Sequence, residues 1–167
     1  MPQDVRHMVD AGLGTVSAVV SSLPAGYTLG EARMESGQKY RLFYNAGNSQ
    51  ISPGFCFTPA TSAGPYSITI TTTSKTFDNV GAGVVYNATA TTGTYFWGVV
   101  RGRVPVVGDA SSVPTGSAFY IGADGAVELF PQSVVTGNVV VGINLGGAAS
   151  KTVTTGAKSG DCIVNFE

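Results

Sequence analysis

The sequence predicts an all-β protein, built as an antiparallel β-barrel or sandwich that is preceded by an N-terminal arm or short helix. Short segments rich in Val, Thr, Ser and aromatic residues recur about every ten residues, and turn residues separate them. The chain has 23 Gly and 8 Pro among its 167 residues, which favours many turns. Helical spacing of apolar residues is confined to residues 1–22, so the rest of the chain is expected to form strands.

The N-terminal segment differs from the rest of the chain. Its apolar residues roughly follow helical spacing, and Asp4 is placed to act as an N-cap. Gly12 and Gly14 weaken this interpretation, because glycine inside a helix costs about 1 kcal/mol relative to alanine. A short helix and an extended arm therefore fit equally well. Residues 1–30 are predicted to be this arm or helix with a linker, and residues 31–167 a β domain.

Alternating side chains predict the faces of the first strands. In residues 39–45, Leu42 and Phe43 point to opposite sides of a strand. Residues 66–73 have the cleanest period of two, with Ile68 on the buried side. Further strands are predicted over residues 55–57, 83–87, 94–100, 102–107, 118–121, 126–129, 139–145 and 162–166.

The strands over residues 118–121 and 126–129 are predicted to form a hairpin. The segment Gly122-Ala123-Asp124-Gly125 connects them, and Asp-Gly supplies the positive φ angles of a tight turn. Turn geometry accounts for Asp124 without a catalytic role.

Charge is scarce and unevenly distributed. Charged residues make up 11% of the chain, against about 25% in a typical globular protein. No charged residue lies in residues 42–74, 79–100 or 129–150. A monomer normally keeps charges on exposed strands, where they maintain solubility and block edge pairing. The sequence therefore predicts that other protein chains cover much of the surface, although Thr and Ser hydroxyls alone would also make it polar.

Composition argues against nucleic-acid-binding, membrane-spanning, secreted and metal-binding proteins. The net charge of −1 offers no electrostatic footprint for nucleic acid or anionic lipid. No segment approaches the roughly 20 apolar residues that span a bilayer, and no secretory signal is recognised, so the chain is expected to be made in the cytosol. Cys56 and Cys162 lack metal-ligand spacing and are expected to be buried thiols, or a disulfide only in an oxidising compartment.

No catalytic constellation stands out, so the chain is predicted not to be an enzyme and to need no metal or cofactor. His7 is the single histidine and has no Ser or Cys neighbour with which to form a catalytic pair. The weakest alternative is a hydrolase whose carboxylates meet only in the folded chain. Its candidates are Glu31, Glu35, Asp78, Asp109, Asp124 and Glu128.

Two clusters are candidates for contacts with protein partners. Arg101 and Arg103 form the one basic cluster, and the flanking valines predict that both face solvent on a strand. The second cluster lies in the N-terminal arm and consists of Val5, Arg6, His7, Met8 and Val9.

An aromatic run, Tyr95-Phe96-Trp97, leaves two interpretations open. On a strand, Tyr95 and Trp97 share one face and Phe96 points to the other. Core packing is one reading. The other is a platform on which a sugar stacks, which requires Trp97 or Tyr95 to be exposed.

The order of turn and strand motifs is informative beyond residue 37. The motifs are, in order, residues 40–45, Gly98-Val99-Val100-Arg101-Gly102-Arg103-Val104, Gly122-Ala123-Asp124-Gly125-Ala126-Val127, Val141-Gly142-Ile143 and Gly160-Asp161-Cys162-Ile163-Val164. This order resembles that of the head decoration (cement) proteins of tailed bacteriophages. The resemblance covers residues 37–166.

The resemblance implies a structural virion protein on the outside of an icosahedral capsid. Such proteins cement neighbouring major capsid subunits, commonly as homotrimers, and offer no catalytic residues to carry over. The expected partners are the major capsid protein and further copies of this chain, with neither nucleic acid nor membrane. Residues 1–22 are expected to be an arm that orders on docking. The alternative is a carbohydrate-binding or adhesin β module of a virion fibre.

Overall fold

The structure is a computed structural model that describes residues 13–60, 64, 66–70, 82–108, 116–122, 125–129, 142–147 and 159–167. These residues form eleven β-strands and no α-helix, which confirms the predicted all-β class. The strands are β1 (Val19–Val20), β2 (Ala32–Glu35), β3 (Gln38–Asn45), β4 (Cys56–Pro59), β5 (Ser67–Thr69), β6 (Gly83–Val85), β7 (Tyr95–Val107), β8 (Ala118–Ile121), β9 (Val127–Leu129), β10 (Gly142–Gly147) and β11 (Ser159–Asn165).

Five of the strands close a ring. Strands β3, β5, β4, β6 and β7 pair in that order, and β7 pairs again with β3. All these pairings are antiparallel except that of β3 with β5, which is parallel. The ring is a small barrel, so its interior can be filled only by the inward-facing residues of its own strands.

A second branch of the sheet leaves the ring along β7. It runs β7-β11-β10-β8-β9, and every pair in it is antiparallel. A parallel bridge between Gly108 and Val127 brings β9 back to the end of β7. The predicted hairpin of β8 and β9 is confirmed, and Gly125 in its turn has a φ of 76°.

Strand β7 is one continuous strand, so the prediction of two strands at 94–100 and 102–107 is wrong. Gly102 does not end the strand: its pairing with β11 continues on both sides, and its φ of 122°, which residues with a Cβ rarely adopt, is open to glycine where the backbone of Gln38 passes close by. A β-bulge lies beside it, where Lys39 is opposite Arg101 but Tyr40 is opposite Val99. The extra residue, Val100, shifts which side chains of β7 face each side.

Two hydrophobic cores lie on opposite sides of the ring wall. The inner core fills the ring and contains Phe43, Ile51, Phe57, Ile68, Val85, Ala90, Phe96 and Val100. The outer core lies between the ring and the second branch, and its largest buried members include Leu13, Tyr27, Tyr40, Leu42, Trp97 and Phe119. Leu42 and Phe43 thus face opposite sides, as their alternation predicts.

Residues 13–30 pack onto the ring from outside. Strand β1 pairs with residues 95–96 of β7, and Leu13, Val16 and Tyr27 are buried in the outer core. The side chains of Cys56 and Cys162 lie in this core as buried thiols, as predicted. The expectation that all of residues 1–22 form an arm that orders only on docking is therefore wrong for residues 13–22, which already pack against the ring. Residues 1–12 lie outside the described residues, and the division of the chain at residue 30 stays a prediction.

Candidate interaction surface

A basic sheet face is the most distinctive surface of the described residues. Cross-strand neighbours point to the same side of a sheet, and the registers align Met34 of β2, Lys39 of β3, Arg101 of β7 and Asn165 of β11 in one row. Arg103 lies two residues beyond Arg101 and is opposite Ile163 of β11. We call this surface the basic face; its members are Met34, Lys39, Arg101, Arg103, Ile163 and Asn165.

The β-bulge explains why charged residues occupy this side of β7. Before the bulge, Trp97 and Val99 contribute to the outer core; after it, Val104 and Val106 do so. The shift by one residue turns Arg101 and Arg103 away from the outer core, and both are exposed. This confirms the prediction that both arginines face solvent.

Two cations meet directly across the strands in this row. Lys39 and Arg101 are register partners, and like charges directly opposite one another destabilise a sheet. Lys39 has a compensating partner, since its Nζ lies 2.6 Å from Oε2 of Glu167. No described residue forms an ion pair with Arg101.

Glu167 joins the end of the chain to β3. Its Oε1 accepts hydrogen bonds from Nη2 of Arg41 at 2.8 Å and from Nε of Arg41 at 3.0 Å, while its Oε2 accepts the bond from Lys39. The hydrogen bond from Lys39, followed by those from Arg41, lowers the pKa of the Glu167 carboxyl below its ordinary value. Arg41 also donates to the carbonyl of Gly30 at 2.8 Å.

A buried polar pair supports the face from below. Gln38 is buried, and its amide donates to the carbonyl of Arg103, while the hydroxyl of Tyr40 donates to the Gln38 amide oxygen. Burial raises the pKa of Tyr40 to about 12, so the hydroxyl keeps its proton. The backbone of Arg103 is therefore tied to β3.

The hairpin of β2 and β3 completes the face. It turns at Ser36 and Gly37, whose φ angles of 52° and 79° are those of a type I′ turn, the geometry that matches the twist of two paired strands. Met34 stands on β2 with 68% of its surface exposed, and Ile163 on β11 with 48%. The cations are thus bordered by two exposed apolar side chains.

The described loops over residues 46–55 and 86–94, which connect ring strands at another end of the molecule, carry no charge. Exposed residues there include Asn48, Ser49, Gln50, Asn87, Thr91 and Thr92. Asn45 holds these loops together, because its Nδ2 donates to the carbonyls of Ser49 at 3.0 Å and Ala90 at 2.9 Å. The charge-poor segments therefore do reach the surface in the described part of the ring.

Trp97 is not a stacking platform. Only 3% of its surface is exposed, its indole Nε1 donates to the carbonyl of Leu13 at 3.1 Å, and Tyr27 packs edge-on against it. Of the two readings of the aromatic run, core packing is therefore confirmed for Trp97, and the alternative of an exposed Trp97 that binds sugar is wrong. Tyr95 is half-buried, with its ring 4.8 Å from that of Tyr44.

The other predicted site residues divide by whether the structure describes them. Val5, Arg6, His7, Met8 and Val9 lie outside the described residues, as do Asp78, Asp109 and Asp124.

The three described carboxylates of the hydrolase alternative are each engaged locally. Glu31 accepts from the Thr28 amide at 3.3 Å, Glu35 pairs with Arg33 at 2.9 Å, and Glu128 accepts from the Tyr120 hydroxyl at 2.6 Å.

The described residues offer little else that could form a chemical site. No three His, Cys, Asp or Glu side chains of this part of the chain are grouped to hold a metal ion. No helix among the same residues is long and apolar enough to cross a membrane. A shallow cavity of about 190 Å³ is lined by Pro53, Gly54, Tyr86 and Pro105, none of which carries a carboxylate, imidazole or thiol.

The chain matches no protein-family model and no curated protein. Among solved structures, it is similar to the head fiber gp8.5 N base of bacteriophage phi29, with a TM-score of 0.47 and 12% sequence identity. The similarity covers 76% of this chain and 95% of that chain. A likeness at this level carries no conclusion about function.

Proposed function

We propose that the chain is a structural protein of a phage virion that binds the outer surface of the capsid and holds neighbouring major capsid subunits together. It acts as a homotrimer, carries out no catalysis and needs no cofactor. It is made in the host cytoplasm and does its work on the assembled particle.

One observation carries this proposal: the motifs of the resemblance lie in neighbouring strands of one sheet. The Gly98–Val104 motif is part of β7, the Gly125 turn joins β8 and β9, the Gly142 motif begins β10, and the Gly160 motif lies in β11. These strands are adjacent in the order β7-β11-β10-β8-β9. The sequence order that resembles decoration proteins therefore corresponds to a contiguous structure.

The distribution of polarity supports contact with other protein chains. The described loops at the uncharged end expose amides and hydroxyls, which form hydrogen bonds without the desolvation penalty of buried charges. The outer core includes Leu13 and Val16 from the second half of the predicted arm, so the part of the arm before residue 13 begins from a fixed anchor.

The physical mechanism is linkage between binding and shell stability. A protein that binds only correctly spaced capsid subunits adds its binding free energy to the stability of that lattice. In a trimer, the first contact makes the later ones effectively intramolecular, which raises avidity by about 10²–10⁴. Each individual contact is therefore allowed to be weak.

The copy number and radial position of the protein in purified virions test this function. We expect it on the outer capsid surface with three copies, one trimer, at each three-fold and quasi-three-fold position, and we expect particles without it to break at lower temperature. Absence from the virion, or a location only on a tail or fibre, would contradict the proposal and favour the fibre alternative.

The oligomeric state is tested separately by light scattering on the purified protein. A mass of three chains is expected, against the 17.0 kDa of one chain. A monomer that stays dispersed at high concentration and does not assemble on capsids would overturn the homotrimer.

A further inference from the structure

We propose that the exposed Met34 side chain of one copy inserts into the cavity lined by Pro53, Gly54, Tyr86 and Pro105 on the next copy, and that this contact, repeated head to tail, closes the homotrimer. The inference rests on the proposed function for the number of copies only. Met34 and the cavity have no residue in common. A closed ring of three requires this, because each copy in it presents two different patches to its two neighbours.

The first argument is the position of Met34. It is the most exposed large apolar side chain of the described residues, at 68%, against 48% for Ile163 and 38% for Leu129. Among the described strands, its strand β2 pairs with β3 only. The type I′ turn that joins these strands follows two residues later, so a short hydrogen-bonded hairpin presents the side chain. Met34 therefore has a large apolar surface that a second copy can remove from water.

The second argument is the fit between the side chain and the cavity. The cavity has a volume of about 190 Å³. A cavity of about 150 Å³ accepts a benzene molecule, so this one has room for a thioether side chain. Its walls include the rings of two prolines and the half-buried Tyr86. Methionine is unbranched and flexible, fills irregular apolar gaps, and gains from contact between its sulfur and an aromatic ring.

The third argument is that the cavity is formed before it is filled. The Gly54 amide donates to the carbonyl of Val85 at 2.7 Å, and the Gly54 carbonyl accepts from the amide of Val107 at 2.8 Å. Residues 52–55 form a β-turn in which Gly54 has a φ of 87°, and this turn fixes Pro53 at the rim. Walls held in this way lose little freedom on association, so more of the contact appears as affinity.

The fourth argument is that neither patch brings an unpaired charge to the contact. The loops that supply three of the four lining residues are uncharged. On the hairpin that carries Met34, Arg33 pairs with Glu35 at 2.9 Å, and Lys39 pairs with Glu167 at 2.6 Å. The charges beside Met34 are therefore compensated within one copy. A contact of this kind avoids the cost of burying a charge that has no partner.

The test is a disulfide cross-link between copies. One protein carries both Met34→Cys and Pro53→Cys and is oxidised with copper phenanthroline at high protein concentration. Both residues are exposed, and Pro53 occupies a position that its turn type leaves open to residues other than proline. The native cysteines are buried and should not take part. The matched control carries Ile163→Cys with Pro53→Cys, because Ile163 is the next most exposed large apolar residue.

We expect disulfides between position 34 of one copy and position 53 of the next, so the products on a non-reducing gel should end at three chains. The control protein should remain as single chains. Products that stop at two chains would indicate a two-fold contact, and a ladder that continues beyond three would indicate an open chain of copies. Either result would overturn the inference.

A second measurement compares Met34→Ala with Ile163→Ala by light scattering over a dilution series. Met34→Ala should raise the dissociation constant of each contact at least about tenfold, since full burial of a methionine side chain is worth that much or more. Ile163→Ala should dissociate as the wild type does. Met34→Leu should retain most of the affinity, because it nearly conserves the volume in the cavity. Equal dissociation of the two alanine variants would contradict the contact.

The outcomes distinguish this inference from the proposed function. If the wild type is a trimer on capsids but the double-cysteine protein remains as single chains, the inference is overturned and the proposed function stands. If covalent trimers form but the protein is absent from virions, the proposed function fails and the inference stands. A wild type that is monomeric both in solution and on capsids overturns the homotrimer and the inference together.

Discussion

At the scale of single residues, the inner core depends on two glycines that make room for one ring. A Cβ at Gly98 would lie 2.6 Å from Cζ of Phe57, and one at Gly83 would lie 2.7 Å from the same atom. The Phe57 ring cannot move aside, because it packs against Phe43 and Phe96 at centroid distances of 4.8 and 5.4 Å. These glycines are needed for space and not for a turn.

Substitution Gly98→Ala should destabilise the protein by about 1–3 kcal/mol, the usual range for overpacking a dense core. Chemical denaturation measures the change. Gly108→Ala is the control, because its nearest neighbour would be 3.9 Å away, and it should have little effect. Adding Phe57→Leu to Gly98→Ala should recover part of the loss; a harmless Gly98→Ala would show that the inner core is looser than its geometry indicates.

Cys56 should be chemically silent in the folded protein. Burial, and after it the nearby Cys162, raises the pKa of the Cys56 thiol, so the reactive thiolate is suppressed even at alkaline pH. Ellman's reagent at pH 8 should titrate neither cysteine in the native state and both after unfolding in guanidinium. Rapid reaction of one thiol in the folded protein would mean that the outer core opens there.

At the scale of elements, alternation predicted the strands that have a clear apolar pattern and missed those that lack one. Strand β8 has the predicted bounds, and β3 begins one residue early. The two-residue β1 and the half-exposed β2 have too little apolar pattern to be recognised. The predicted strands over residues 94–100 and 102–107 leave a break at Arg101, but β7 runs through it because its partners β3 and β11 fix its course.

Some features of the basic face follow from nearby residues in the sequence, and others depend on the pairing of distant strands. Its two arginines were predicted from their flanking valines, since their exposure follows from local alternation. The row that joins them to Met34 and Asn165 was not, because those residues meet only when distant strands pair. The sequence left the burial of Trp97 as one of two readings for the same reason: the Leu13 carbonyl that receives its hydrogen bond is 84 residues away.

The contact between Glu167 and β3 should make stability depend on acid pH. The folded-state pKa of Glu167 is lowered from an ordinary value of 4.5, so its stabilising contribution is present above that value and is lost as the pH falls through the folded-state value. Glu167→Gln should lower the melting temperature at pH 7, and the difference from wild type should shrink below about pH 4.5. Added salt should shrink it too. A difference that is constant with pH would argue against an ionic origin.

At the scale of the whole molecule, only residues 1–12 of the predicted arm can be removed without loss of described core residues. Leu13 and Val16 are buried, so a deletion of residues 1–22 would damage the outer core as well as the arm. Deletion of residues 1–12 is therefore the cleaner experiment. The single tryptophan reports on the result, because Trp97 lies directly against Leu13.

Without residues 1–12, the protein should keep the blue-shifted fluorescence of a buried tryptophan but bind capsids more weakly, as expected for an arm that orders on docking. Deletion through residue 16 should shift the emission to the red. Capsid binding equal to that of the full chain after the shorter deletion would refute the arm as a contact.

Strand β7 contributes side chains to both hydrophobic cores. It lines the inner core with Phe96 and Val100 and the outer core with Trp97 and Val104. Loss of β7 from one core would expose the other core as well, so the two cores should unfold together in a single thermal transition. In the role we propose, a protein that unfolds in one step would keep all its capsid contacts up to that step and lose them together.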